Sequence, residues 1–269
     1  MRRIRLGLVL FALFAVVPAS AQTVEGLDPP KAPADFLVIP LRVHVLTATD
    51  LPEVACNLAD ADIKRVVAKV NAVWHKAGIH WALDPIVREA AARQDQFKAA
   101  RKDDAEDPLL SLKILVPDES RSDAGVDVYY IHQFGMNGVY LGDRVAFVQE
   151  MAELRPVEGG IDEPLPRVTA HELGHALGLP HRQDRTNLLA SGTTGTTLNE
   201  AEVARARARA LRIPGTSTAL ELRRRATEAQ ARGDSKEADR LGAILRGVPA
   251  DQDSGKPAST VEPTGAGLR

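Results

Sequence analysis

The chain of 269 residues is poor in several things at once: it has one cysteine, three methionines, and aromatic residues at only 4%. A lone cysteine, Cys56, excludes an intramolecular disulfide framework and any cysteine-rich zinc finger. With so few aromatics, a core has to be built mainly from Leu, Val, Ile and Ala. An excess of charge of either sign is also missing, since 34 Lys and Arg stand against 36 Asp and Glu. That balance gives no reason to expect nucleic acid as the main partner. After the first residues, no apolar run approaches the ~20 residues that span a bilayer, so no membrane span is expected in the mature chain. What is present, 44% hydrophobic and 26% charged, is a globular composition of a length suited to one ordinary domain with an extension.

The first residues read as a targeting segment. Arg2, Arg3 and Arg5 precede an apolar run from Leu6 to Val17, and Ala19-Ser20-Ala21 supplies small residues for cleavage. This is the layout of a secretory signal peptide, 1–21, and it implies a secreted or periplasmic protein. The segment 22–35, Pro-rich with few apolar residues, reads as a flexible leader. Cys56 is then a lone thiol in an exported protein, read as buried and inert.

The body, 36–213, alternates strand and helix signals. Phe36 to Leu46 reads as a strand. Asp60 or Asp62 starts a helix to about Ala77, with Ile63, Val66, Val67, Val70 and Trp74 at helical spacing and Gly78 as its stop. Ile79–Leu83 is expected as a short strand, Arg88–Arg101 as a helix, and Leu112–Val116 and Val126–Ile131 as strands. Gly138–Gln149 reads as a strand pair turning at Gly142-Asp143. Leu165–Leu177 is a helix, Gly192–Thr197 a flexible loop, and Leu198–Leu211 a helix with Asn199 as cap. Beyond Pro214-Gly215 the residues 214–247 form an Arg-rich extension, divided by Gly233-Asp234 into a helical hairpin; 248–269 reads as a disordered tail. Arg205–Arg246 carries ten Arg and one Lys against five acids. It is read first as a solvated face with acid partners nearby, and second as a dock for an anionic surface.

The informative segment is HELGHALGLPH, His171 to His181. His171 and His175 are four apart, so a helix projects both imidazoles from one face, a natural pair of zinc ligands. Gly178 can take the left-handed conformation that ends the helix and turns the chain, which lets His181 reach the same ion. Three His ligands leave one position open, the plan of a catalytic zinc site, and Glu172 beside them is placed as general base.

This eleven-residue pattern resembles that of the metzincin clan of zinc endopeptidases, over roughly Phe36 to Leu211. The spacing after His181 is similar to the matrixin-like branch: Asp184 stands three residues on, and Asn187-Leu188-Leu189 falls where the clan has its Met-turn. The resemblance implies an α+β zincin fold: a twisted mixed sheet, a zinc-binding active-site helix and a small C-terminal subdomain. It also implies one catalytic Zn2+ on His171, His175 and His181, Glu172 as base, and a protein or peptide substrate that pairs with an edge strand within Val139–Val148. Two departures stand out. Leu189 replaces the Met that floors the site, a nearly volume-conserving change expected to cost below about 1.5 kcal/mol. No Tyr follows Tyr140, so branches using a later Tyr at the metal are not matched. A cysteine-switch segment is also not expected, since Cys56 sits in VACNL.

Other readings stay open on the residues alone. A zinc-containing scaffold could act through its C-terminal helices, and a zinc amidase on cell-wall peptides would use the same site. His44, His75, His80 and His132 are read as surface or half-buried residues, since none has a short ligand spacing; His132, following a strand, is the one placed near the cleft. The cluster Asp103-Asp104 and Glu106-Asp107 reads as a solvated loop. Calcium (Ca2+) there has no loop pattern behind it. Oligomeric state is not legible.

Overall fold

The structure, a computed structural model, describes residues 36–102 and 112–249. The expected signal peptide, leader, Asp103–Asp107 cluster and most of the tail lie outside those residues. The architecture is the expected α+β one, a mixed sheet with a helix carrying His171 and His175. The sheet runs in the order β2-β1-β3-β5-β4. Strand β1 (Leu37–Thr47) pairs in parallel with β2 (Ile79–Ala90) and β3 (Val126–Ile131), and β3 in parallel with β5 (Val145–Gln149). The edge strand β4 (Gly138–Gly142) is antiparallel to β5, joined by the turn at Gly142-Asp143. A two-residue strand, β6 (Ser217–Thr218), pairs with the start of β1.

Both sheet faces are covered, which is why β3 and β5 are buried along their whole length. On one face Ile39, Leu41, Val43 and Val45 of β1 meet helix α1 (Asp60–Trp74) through Ile63, Val66, Val70 and Trp74. Asp62 accepts the Ala59 backbone N–H at 3.0 Å at the start of α1. A 3-10 turn continues the helix to Ala77, and Gly78, at φ +60°, ends it. The same core takes in helix α3 (Pro164–Ala176) and helix α4 (Glu200–Ala210). Asn199 caps α4 by accepting the Glu202 N–H at 2.9 Å. On the opposite face, helix α2 (Gln94–Lys102) lays Phe97 against Leu46, Tyr129, Ile131 and Phe147. Helices α5 (Ala219–Ala231) and α6 (Ser235–Leu245) form the expected hairpin, with Gly233 at φ +75° and Asp234 capping α6. Leu222 and Leu241 pack with Phe36, Val38 and Ala82.

Four expectations about local structure are corrected. Strand β2 does not end at Leu83 but runs on to Ala90. Pro85 is accommodated because β2 is an edge strand and carries a bulge there, with Leu83 opposite Leu41 and Ile86 opposite Val43. Arg88 to Ala90 is therefore strand, and the helix starts only at Gln94. Leu112–Val116 is not a strand: residues 112–114 are helical, and Leu115 and Val116 donate back to Leu112 and Lys113. A short buried apolar run has no period to separate the two states. Gly192–Thr197 is bound at both sides rather than loose. Thr194 N–H donates to Arg155 O, Ile161 N–H to Thr194 O and Thr197 N–H to Thr186 O, all within 3.1 Å.

His44 and His80 are buried, contrary to the surface reading. His44 lies between Glu89 (Nδ1, 2.6 Å) and Asp127 (Nε2, 3.2 Å), stacked on Tyr129. Two strands supply the carboxylates, and sequence distance hides them. His75 is exposed. Cys56 is buried, and burial pushes its thiol up to about 12, so it is inert at neutral pH. In the hairpin Arg224 pairs with Glu221 and Glu228, and Arg225 and Arg240 both pair with Glu237. No helix among the described residues is long and apolar enough to cross a membrane.

Candidate metal centre

Helix α3 enters with Pro164 in its first turn, where a missing N–H costs nothing. It is buried almost throughout, wedged between α1 and the strands β4 and β5. It stops after Leu177: Gly178, at φ +76°, donates to His175 O at 2.9 Å, and Leu179 N–H reaches back to Gly174 O at 3.0 Å. The chain thereby turns at Gly178, and His181 faces the two helical histidines.

The three imidazoles converge. His175 Nε2 lies 3.1 Å from His171 Nε2 and 3.2 Å from His181 Nε2. Burial falls from His171, which is buried, through His175 to His181, which is exposed, so the site opens toward solvent on one side. The far nitrogens are anchored on backbone. His171 Nδ1–H donates to Leu188 O and His175 Nδ1–H to Leu179 O, both at 2.8 Å. Each bond selects the tautomer that leaves the Nε2 lone pair free for a metal. Burial holds His171 down to about 3, helped by the Arg167 guanidinium, and holds His175 below the ordinary imidazole value. Neutral imidazole is the ligating form, so three such nitrogens in one place suit zinc. Among the described residues no other group of three such side chains comes together in this way.

Glu172 lines the same cavity as these histidines, about 790 Å³, with Gly138, Val139 and Tyr140 of β4 on its wall. Burial pushes its carboxyl up to about 8, opposed by the Arg167 charge and a backbone hydrogen bond from Tyr140. His132 does not line this cavity; its Nδ1 lies 3.1 Å from Glu150.

Sequence reading missed the residues that hold these histidines. Arg167, one helical turn before His171, is 1% exposed. Its guanidinium donates to Gly195 O (3.0 Å), Asn187 O (3.2 Å) and Ala190 O (2.6 Å), and Nη1 lies 3.0 Å from His171 Nδ1. It ties the helix to the loop that accepts from His171. Burial pulls it down to about 10, partly offset by Glu172. A charged residue on the buried face of a predicted helix was the signal available. Asn187 accepts the Leu189 N–H at 2.7 Å and donates to Glu202 of α4 at 2.9 Å; Glu202 also pairs with Arg182 at 2.9 Å. Leu189 is fully buried against Gly174, between the two helical ligands: a β-carbon there would lie 3.2 Å from Leu189 Cδ1.

No protein-family model matches the chain, and no curated protein matches it. Among solved structures it is similar to one described as a chaperone–substrate complex (13% identity, TM-score 0.38, 66% of this chain and 34% of that one). It is also similar to archaemetzincin from Methanopyrus kandleri (16%, 0.31, 65% and 88%) and to metalloproteinase-II from Bacteroides fragilis (11%, 0.34, 70% and 58%). The chain thus spans about a third of the first and a little over half of the third. Likenesses this distant carry no argument about chemistry, which rests on the site.

Proposed function

We propose that this chain is a secreted or periplasmic zinc-dependent endopeptidase, in which His171, His175 and His181 hold the metal and Glu172 is the general base. One observation carries the reading: three imidazole nitrogens converge, two of them fixed by backbone carbonyls, beside a buried carboxyl in an open cavity. A zinc ion held by this donor set would supply Lewis-acid polarisation of the scissile carbonyl and would make the attacking water more acidic.

The chain's own residues do the rest. Glu172 takes a proton from the attacking water and passes it to the leaving amine. Its low exposure favours the protonated carboxyl, and the Tyr140 backbone and Arg167 favour the carboxylate. The group therefore has support in both of the states the reaction uses. Strand β4 is at the sheet edge and lines the cavity, so an extended peptide can add beside it through main-chain hydrogen bonds. The basic start and apolar run of residues 1–21 support export, with cleavage near Ala21.

The test is a mixed peptide library digested by the full mature chain, beside Glu172→Ala brought to equal zinc loading. Cleavage by the wild type alone establishes a metallopeptidase. Absence of cleavage by either, with zinc bound, overturns the peptidase reading and leaves a zinc amidase or a zinc scaffold.

A further inference from the structure

A second cavity, about 440 Å³, shares His181 and Ser191 with the first. Its lining includes Arg155, Arg182 and Arg185 and no acidic side chain. Arg182 is paired with Glu202. Among the described residues, neither Arg155 nor Arg185 has an ion-pair partner. Asp184, the acid beside Arg185, is already engaged: its carboxylate accepts the Thr186 N–H at 3.0 Å and the Thr186 hydroxyl at 2.9 Å. Glu153 and Glu158 flank Arg155 in sequence, but neither lines the cavity. In the α5–α6 hairpin Arg224, Arg225 and Arg240 meet Glu221, Glu228 or Glu237.

The backbone that presents these arginines is fixed. Arg155 N–H donates to Gly192 O at 3.0 Å and Arg155 O accepts from Thr194, while Arg185 O accepts the Thr193 hydroxyl at 2.7 Å. The two guanidiniums thus extend from segments tied to the same stretch, 192–194, beside a metal ligand. Two exposed guanidiniums without acid partners around one polar cavity make a local positive potential that favours an anionic ligand, and a guanidinium fork matches a carboxylate in shape.

We propose that the Arg155–Arg185 cavity is a specificity site that takes a carboxylate of the peptide substrate, so that the enzyme favours peptides with an acidic group beside the scissile bond. The proposal rests on the peptidase reading for its kinetic part. The carboxylate comes either from an Asp or Glu side chain or from the peptide's C-terminus, and the same chemistry recognises both.

The experiment uses matched peptides built around a bond the wild type cuts in the mixed library. They differ in Glu, Gln or Lys at each flanking position and in free against amidated C-terminus. At low salt the Glu or the free-acid peptide is expected to have a kcat/KM about five- to tenfold above its neutral partner, the range for an exposed but bidentate charge pair. A Glu preference identifies the side chain, and a free-acid preference identifies the terminus. Arg155→Gln/Arg185→Gln should bring that ratio to near one, and Arg155→Glu/Arg185→Glu should reverse it toward Lys, a gain that misfolding does not produce. Equal rates for charged and neutral peptides would overturn the proposal and leave the peptidase reading standing. A binding arm that needs no cut bond separates the two failures: zinc-loaded Glu172→Ala is titrated by anisotropy with fluorescein-labelled peptides of one fixed sequence in matched Glu, Gln, free-acid and amidated forms. Charge-selective binding that the arginine substitutions remove, without cleavage by the wild type, would keep the cavity and sink the peptidase. Absence of charge selectivity in both arms would overturn the cavity's role.

Discussion

Gly138 and Glu172 are matched in size: a β-carbon at position 138 would lie 2.7 Å from Glu172 Oε1 and 2.6 Å from Val168 Cγ1. A glycine in an edge strand weakens it unless something needs the space, and here the proposed base needs it. Gly138→Ala is expected to cost about 1–3 kcal/mol by crowding Val168 and to displace the Glu172 carboxyl. A loss of about 10- to 100-fold in kcat is the expected size, because sub-ångström placement of a base governs proton transfer. Steady-state kinetics beside a zinc assay check it, and wild-type kcat in the variant would show that the close approach is incidental.

Arg167 joins the ligand helix to the loop beneath it through three carbonyl acceptors. A lysine offers a point charge in place of a fork and cannot reach all three. Arg167→Lys should weaken zinc affinity about 10- to 100-fold, the usual effect of losing support behind a ligand. Competition against a chelating dye measures this, with circular dichroism as the control for folding.

Leu189 supplies the apolar contact under Gly174. Leu189→Met conserves volume and should cost below about 1.5 kcal/mol, whereas Leu189→Ala opens a cavity and should cost about 2–5 kcal/mol. Urea unfolding of the zinc-loaded protein distinguishes them. Equal stability of the two variants would mean that the floor relaxes to fill the space.

Burial pushes His80 down to about 4, below its ordinary 6.5. The unfolded chain then binds more protons than the folded one between those values, so stability is full above about pH 6.5 and is lost as pH falls toward 4. The contribution is of the order of 3 kcal/mol, from the size of the shift. His171 and His175 shift in the same direction, so the informative quantity is a difference. His80→Phe, compared with wild type by urea midpoint at pH 7 and pH 5, should lose less stability over that interval. Parallel losses in the two proteins would show that His80 does not titrate with unfolding.

Much of this was legible in the chain because the relevant residues are close in sequence. The period of Ile63, Val66, Val70 and Trp74 predicts α1, and Gly78 and Gly178 mark stops that the backbone observes at positive φ. Asn199 caps the helix it was expected to cap, and the hairpin divides at Gly233-Asp234 as expected. The failures are of another kind. Leu112–Val116 was too short for its period to speak, and Pro85 reads as a strand end unless the strand is known to lie at an edge with a bulge.

The chain by itself determined the chemistry of the candidate site: which residues can bind a metal and which carboxyl stands beside them. A helix of 3.6 residues per turn converts the spacing of His171, Glu172 and His175 into geometry without help from the rest of the molecule. Only the tertiary structure decided what supports and surrounds that chemistry. Arg167 meets carbonyls from 187 to 195, Gly138 meets Glu172 across 34 positions, and His44 meets Glu89 and Asp127 on neighbouring strands. The unpaired arginines beside His181 likewise come from two separate segments. Such contacts depend on strand order and loop closure, and no local period in a sequence encodes either.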